Sequence, residues 1–141
     1  MRRIVVDASA ALAWLFDEHD TTPWLEQCLS STDIAAPSLW RFEVVNAIVV
    51  KERRKQITEL QGDRFLEALD GLPISIIPPS SDETLSDLAR LARRYQLTSY
   101  DAAYLDLARS IGASLLTFDN NLVVAAKRMN VSVASADSLI E

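Results

Sequence analysis

Apolar residues in this chain follow two patterns, short unbroken runs and stripes that return every three or four positions. The runs are Ile4 to Val6, Ile34 to Ala36, Ile74 to Ile77 and Ser114 to Phe118, with a further one around Val131 to Ala134. Each predicts a short strand buried on both faces, as in a parallel sheet. The stripes between them predict helices. Ala8 to Phe16 is rich in Ala and Leu, and Thr21 or Thr22 before Pro23 starts a helix that runs to about Ser31. A long helix follows Pro37 and Ser38 to about Lys55; its first three turns are apolar almost all round, which predicts burial on most sides. Thr58 and Gln61 have the spacing of a capping box for a helix ending near Gly71. Further helices are expected over Ser81 to Tyr95, from Thr98 or Ser99 onward, and over Asn121 to Met129. Strands alternating with helices imply an α/β fold, a three-layer sandwich around a central, mainly parallel sheet.

At 141 residues, 1–141 is expected to form a single domain. With one cysteine, Cys28, and one histidine, His19, neither an internal disulfide nor a Cys/His zinc site is available. The opening MRRIVVDASAALAWLF resembles a signal peptide only until Asp7 interrupts it, and Phe42 to Val50 is too short to span a bilayer. A soluble cytoplasmic protein, with no membrane contact, is expected. The net charge of −6 argues against nucleic acid being gripped over the whole surface and leaves room for a local basic patch. Gly62, Gly71 and Gly112 are too scattered to form a phosphate-cradling loop.

Among the 20 acidic residues, four sit where a solvated carboxylate is not expected. Asp7 and Asp119 each follow an apolar strand, at the sheet edge where sites gather; each is equally placed to serve as a turn or helix-capping aspartate. Glu43 lies amid Trp40, Phe42, Val44 and Val45, where burial needs a partner such as Arg41 or a cation. At 100° per residue, Asp101 falls beside the stripe of Tyr100, Tyr104, Leu107 and Ile111, whereas Asp106 faces outward with Arg109. Asp101 also suits a helix N-terminus on dipole grounds. Together the four acids could offer oxygen ligands to Mg²⁺ or Mn²⁺, and no Cys or His nucleophile array competes with metal-activated water.

Val6-Asp7-Ala8-Ser9, Glu43-x-x-Asn46, Thr98-x-x-Asp101-Ala102-x-Tyr104 and Leu116-Thr117-x-Asp119, in this order, resemble the successive motifs of PIN-domain ribonucleases, in particular the VapC toxins of type II toxin-antitoxin pairs. The resemblance spans nearly the whole chain. It implies a PIN-like fold and an Mg²⁺- or Mn²⁺-dependent endoribonuclease in which Asp7, Asp101 and Asp119 ligate metal. Glu43 would complete the acidic pocket and position the attacking water, with Ser9, Asn46 and Thr117 in support. It also implies a homodimer and a cognate antitoxin, for which Trp14, Phe16, Trp24 and Trp40 are candidate contacts, although aromatics at such spacing equally form core. For the RNA substrate, Lys51, Arg54 and Lys55 share a helix face with Arg53 nearby; they equally suit the C-terminal dipole.

Two other functions compete. An aspartate-based phosphoryl-transfer domain would also place Asp7 after the first strand, but position 9 is Ser where a phosphatase carries a second Asp. A non-catalytic binding module would keep the fold and use the pocket only to hold a partner.

Overall fold

The computed structural model describes residues 3–16, 22–31 and 33–134. The elements run β1 (Arg3–Val6), α1 (Ala8–Leu15), α2 (Thr22–Ser31), β2 (Asp33–Pro37), α3 (Leu39–Arg53), α4 (Glu59–Asp70), β3 (Ile74–Ile77), α5 (Leu85–Tyr95), α6 (Ser99–Ser110), β4 (Ser114–Leu116) and α7 (Asn120–Arg128). The four strands form one parallel sheet in the order β3-β2-β1-β4. This is the expected α/β architecture. From β1 the chain builds outward through β2 to β3, then crosses over so that β4 pairs on the other side of β1. The reversal makes a topological switch point between the carboxyl ends of β1 and β4, where helix connections diverge and leave a crevice.

Ile4, Val5, Val6, Leu115 and Leu116 are fully or almost fully buried, which is why these strands read as unbroken apolar runs. The helices cover the sheet through single faces. On α3 that face is Trp40, Val44 and Ile48, spaced four residues apart. The expectation that α3 is buried on most sides is wrong, since Phe42 is 76% exposed and Val45 is 43% exposed. The helix stands at the flank of the fold, so only one of its apolar faces has anything to pack against. Tyr100, placed by its spacing in an apolar stripe, is likewise 61% exposed at the start of α6.

Two further boundaries differ from the sequence pattern. α5 begins at Leu85 rather than Ser81, because Thr84 and Asp87 form a capping box: the Asp87 amide donates to the Thr84 hydroxyl and the Thr84 amide to the Asp87 carboxylate. The strand expected at Val131 to Ala134 reduces to one bridge, Val133 opposite Leu115. The Thr58–Gln61 capping box forms as its spacing predicts. Among the described residues no helix is long and apolar enough to cross a membrane.

Candidate functional site

Asp7 leaves β1 at the switch point and is only 4% exposed. Its amide continues the ladder by donating to the Leu116 carbonyl at 3.1 Å, and its side chain caps α1. Oδ1 accepts from the Ser9 hydroxyl at 2.7 Å and from the Ala10 amide at 2.9 Å, while the Thr117 hydroxyl donates to Oδ2. The same hydroxyls also act as acceptors. Ser9 Oγ receives the Phe118 amide and Thr117 Oγ1 receives the Asp119 amide, each at 3.0 Å. Side chains thus take over from the strand ladder beyond Leu116, which explains why β4 ends there rather than at Phe118. Ser9 bonds to the Asp7 cap at the start of α1 and also ties that start to the end of β4.

Asp119 caps α7, its Oδ1 accepting the Asn121 amide at 2.9 Å. Asp101 lies in the first turn of α6, capped by the Thr98 hydroxyl, and is half-buried. Asp106 points away and pairs with Arg109 at 2.8 Å, so helix geometry separates the two aspartates as expected. For Asp7 and Asp119 the capping role and the site position coincide, because both α1 and α7 start at the carboxyl end of the sheet. Three helix N-termini therefore deliver one acid each to this end, where their dipoles favour negative charge.

Glu43 reaches the same region from α3. Among the described residues its partner is neither Arg41 nor any other cation. The Tyr104 hydroxyl donates to Glu43 Oε1 at 2.6 Å, joining α6 to α3 across the crevice. Tyr104 is 1% exposed, and burial followed by the Glu43 carboxylate drives its phenol well above the ordinary tyrosine range. It remains a neutral donor at any working pH. Sequence analysis placed Tyr104 in the apolar stripe and in a motif; its spacing from Asp101, three residues along one helix face, was the available sign that its hydroxyl would lie among the acids. Asn46, three residues after Glu43, is exposed.

The charges of this region act on one another. Burial raises the Asp7 pKa to about 6, partly offset by Thr117, Ser9 and Ala10, and the Asp101 charge adds to the rise. Burial also raises Asp101, reinforced by Asp119 and then Glu43, with Thr98 opposing. Asp101 thus shares one electrostatic neighbourhood with Asp7, Asp119 and Glu43, whose like charges disfavour its ionised form. Among the described residues, however, no three Asp, Glu, His or Cys side chains stand close enough together to make a ready-formed ion site. All the donors here are oxygen, the set preferred by hard divalent cations over soft ones.

The aromatic candidates divide. Trp40 is buried in the core, and Trp14 and Phe16 pack half-buried against it, while the Trp24 side chain lies outside the described residues. Lys51 is engaged over the Phe16 ring at 4.7 Å, which leaves Arg53, Arg54 and Lys55 as the exposed cations of that helix end.

A model of the PIN domain matches residues 4–129. The chain belongs to the PIN-domain family. Ribonuclease VapC3 of Pyrobaculum aerophilum is 34% identical over 121 residues, covering 85% of this chain and 92% of the relative. Two solved structures share the PIN fold. A protein from Pyrobaculum aerophilum superposes with a TM-score of 0.73 at 24% identity, covering 99% of this chain and 87% of that one. A toxin-antitoxin complex from Klebsiella pneumoniae gives a TM-score of 0.55 at 23% identity, covering 82% and 86%.

Proposed function

We propose that this protein is a cytoplasmic endoribonuclease of the VapC toxin type, dependent on Mg²⁺ or Mn²⁺ at the acid-lined end of the sheet. The observation that carries the reading is the convergence of Asp7, Glu43, Asp101 and Asp119, from four separate parts of the chain, at one electrostatically coupled switch point. The ribonuclease name of a relative at 34% identity supports the same activity.

Asp7, Asp101 and Asp119 are the residues that would hold the ion. When bound it supplies Lewis-acid polarisation of the phosphodiester and lowers the pKa of water. Ser9 and Thr117 orient the Asp7 carboxylate and keep it from turning into the core. Tyr104 holds Glu43 by Oε1, leaving Oε2 to accept a proton from the attacking water. Asp7 itself makes a poor covalent nucleophile, since three donors already occupy its two oxygens. This disfavours the phosphoryl-transfer alternative.

The purified protein should cleave single-stranded RNA with Mg²⁺ or Mn²⁺ and stop on addition of EDTA. RNA left whole with either metal would favour the binding-module reading. The variant Tyr104→Phe preserves the packed ring and removes only the hydroxyl. It should lose about 10-fold or more in cleavage rate, the effect typical of groups that orient a metal site from behind. Circular dichroism should still show a folded protein; an unchanged rate would remove Tyr104 from the mechanism.

The toxin reading also assigns a second copy of the chain and an antitoxin. An open cleft of about 600 Å³ between α3, α5 and α6, lined by Leu39, Phe42, Ile77, Leu88, Tyr100 and Leu107, is the surface assigned to the second copy. Phe42 and Tyr100 project from it largely uncovered. Wild-type protein should sediment as a dimer and Phe42→Ser/Tyr100→Ser as a monomer. A monomeric wild type would contradict this assignment. The antitoxin is assigned to the half-buried aromatics Trp14 and Phe16, and a tight inhibitory partner encoded beside this protein is the result to look for.

A further inference from the structure

An acid-lined centre repels the polyanion it is meant to cut, and a chain of net charge −6 offers no general attraction to compensate. Affinity for RNA therefore has to come from a local concentration of cations. Three arginines have carboxylate partners: Arg3 with Asp33, Arg90 with Asp87 and Arg109 with Asp106. Arg93, Arg94, Lys127 and Arg128 are exposed, and among the described residues none has a carboxylate within salt-bridge distance. These four lie at the C-terminal ends of α5 and α7, which Tyr95 joins. The Arg94 guanidinium stands over the Tyr95 ring at 5.6 Å from its centre and the Arg128 guanidinium at 5.4 Å. Two like charges converge on one aromatic ring, drawn by its π face, with no carboxylate within salt-bridge distance of either among the described residues.

We propose that Arg94, Tyr95 and Arg128, flanked by Arg93 and Lys127, form a docking site for the backbone phosphates of substrate RNA, separate from the acid-lined centre. The proposal rests on the ribonuclease reading for the identity of the anion. Guanidinium groups suit phosphate because they present planar paired donors, and an aromatic floor adds a stacking surface that tolerates any base. The placement fits. Tyr95 precedes the Thr98 cap of Asp101 by three residues, and α7 leads from Asp119 at the centre down to Arg128, roughly 13 Å at 1.5 Å per residue. Nucleotides flanking the scissile phosphate would cross the patch while the phosphate itself sits among the acids. Of the cations of α3 identified by sequence, Lys51 is already held over the Phe16 ring.

The test compares wild type with Arg94→Gln/Arg128→Gln and Arg94→Lys/Arg128→Lys. Binding of a fluorescently labelled single-stranded RNA is followed by anisotropy in EDTA, and cleavage of the same RNA is followed with Mn²⁺. The Gln pair should bind about 10-fold more weakly. The log–log salt dependence of its binding should flatten by about 1.4, the share of two phosphate contacts on a single strand. Its cleavage defect should fall on KM rather than kcat, and the Lys pair, which keeps the charge but not the planar fork, should restore the salt slope and only part of the affinity. Equal affinity and salt slope in wild type and the Gln pair would overturn the patch. So would a Gln pair whose only change is its sedimentation, which would make this face a protein interface. Patch-dependent binding by a wild type that never cleaves RNA would leave the patch standing and remove the ribonuclease reading.

Discussion

Replacing Asp101 by Asn is expected to reduce RNA cleavage by at least about 1,000-fold while leaving the protein folded. The size follows from removing one ligand charge from a site where the ion is asked for several kcal/mol of transition-state stabilisation, each 1.36 kcal/mol being tenfold in rate. The fold should survive because the Asp101 side chain has no part in capping α6. That role belongs to the Thr98 hydroxyl, which accepts the Asp101 amide, a bond the substitution leaves available. Removal of the charge also relieves its repulsion with Asp119 and Glu43, so thermal stability in EDTA should hold or rise. Cleavage assays beside thermal denaturation check both halves. Wild-type activity in the variant would show that the acids do not act together.

Asp7→Asn is expected to behave differently, through pH. Burial lifts the Asp7 carboxyl from 3.8 to about 6 in the folded protein. A raised carboxylate pKa means that between these values the folded state holds more of the proton than the unfolded state. Stability then falls as pH rises through the window and levels off above it. At pH 7 without divalent metal the penalty approaches about 3 kcal/mol, from 1.36 kcal/mol per unit. Asn keeps the shape and the capping ability of the protonated acid but has no proton to lose. In EDTA, the difference in stability between Asp7→Asn and wild type should be small near pH 4 and grow in favour of the variant toward pH 7. The variant should nonetheless be inactive. Parallel stability curves for the two proteins from pH 4 to 7 would show that burial does not strain Asp7. Sites that place buried charge for function at the expense of stability behave in this way.

Much of this was visible in the sequence because one physical quantity, apolar burial on both faces, marks a parallel strand without further context. Ile4 to Val6 was found in this way and is buried throughout. Ile74 to Ile77 forms its strand as expected but at the edge of the sheet, where Ser75 and Ile76 are exposed, so the expected burial on both faces does not hold there. The separation of Asp101 from Asp106 needed only helix geometry, since both lie on one element whose stripe sets the direction. What sequence spacing did not show are relations between distant elements. Tyr104 and Glu43 are 61 residues apart, and Thr117 and Asp7 are 110 apart. Nothing local in either pair announces the other. Periodicity also reports hydrophobicity rather than coverage. The apolar turns of α3 predicted burial, but among the described residues nothing covers Phe42 and Val45, which are exposed. At α5 the polar run from Ser81 suits a first helical turn, but the Thr84 and Asp87 side chains bond reciprocally to each other's amides and set the start later. Competition between two acceptable helix starts is decided by such capping bonds.

The acid cluster also shows why the capping and functional roles of an aspartate need not exclude each other. Asp119 accepts the Asn121 amide with Oδ1 only. Its charge also acts on Asp101, so one side chain can finish a helix and still belong to the acid cluster.

The most direct test of that centre is a calorimetric titration of metal-free protein with Mn²⁺, in wild type and in Asp101→Asn. Saturable binding by the wild type, lost or at least about 10-fold weaker in the variant, is the expected result. Equal binding by both proteins, or RNA cleavage by a wild type that binds no Mn²⁺ or Mg²⁺, would contradict the assignment of Asp7, Asp101 and Asp119 as the ligands of a catalytic ion.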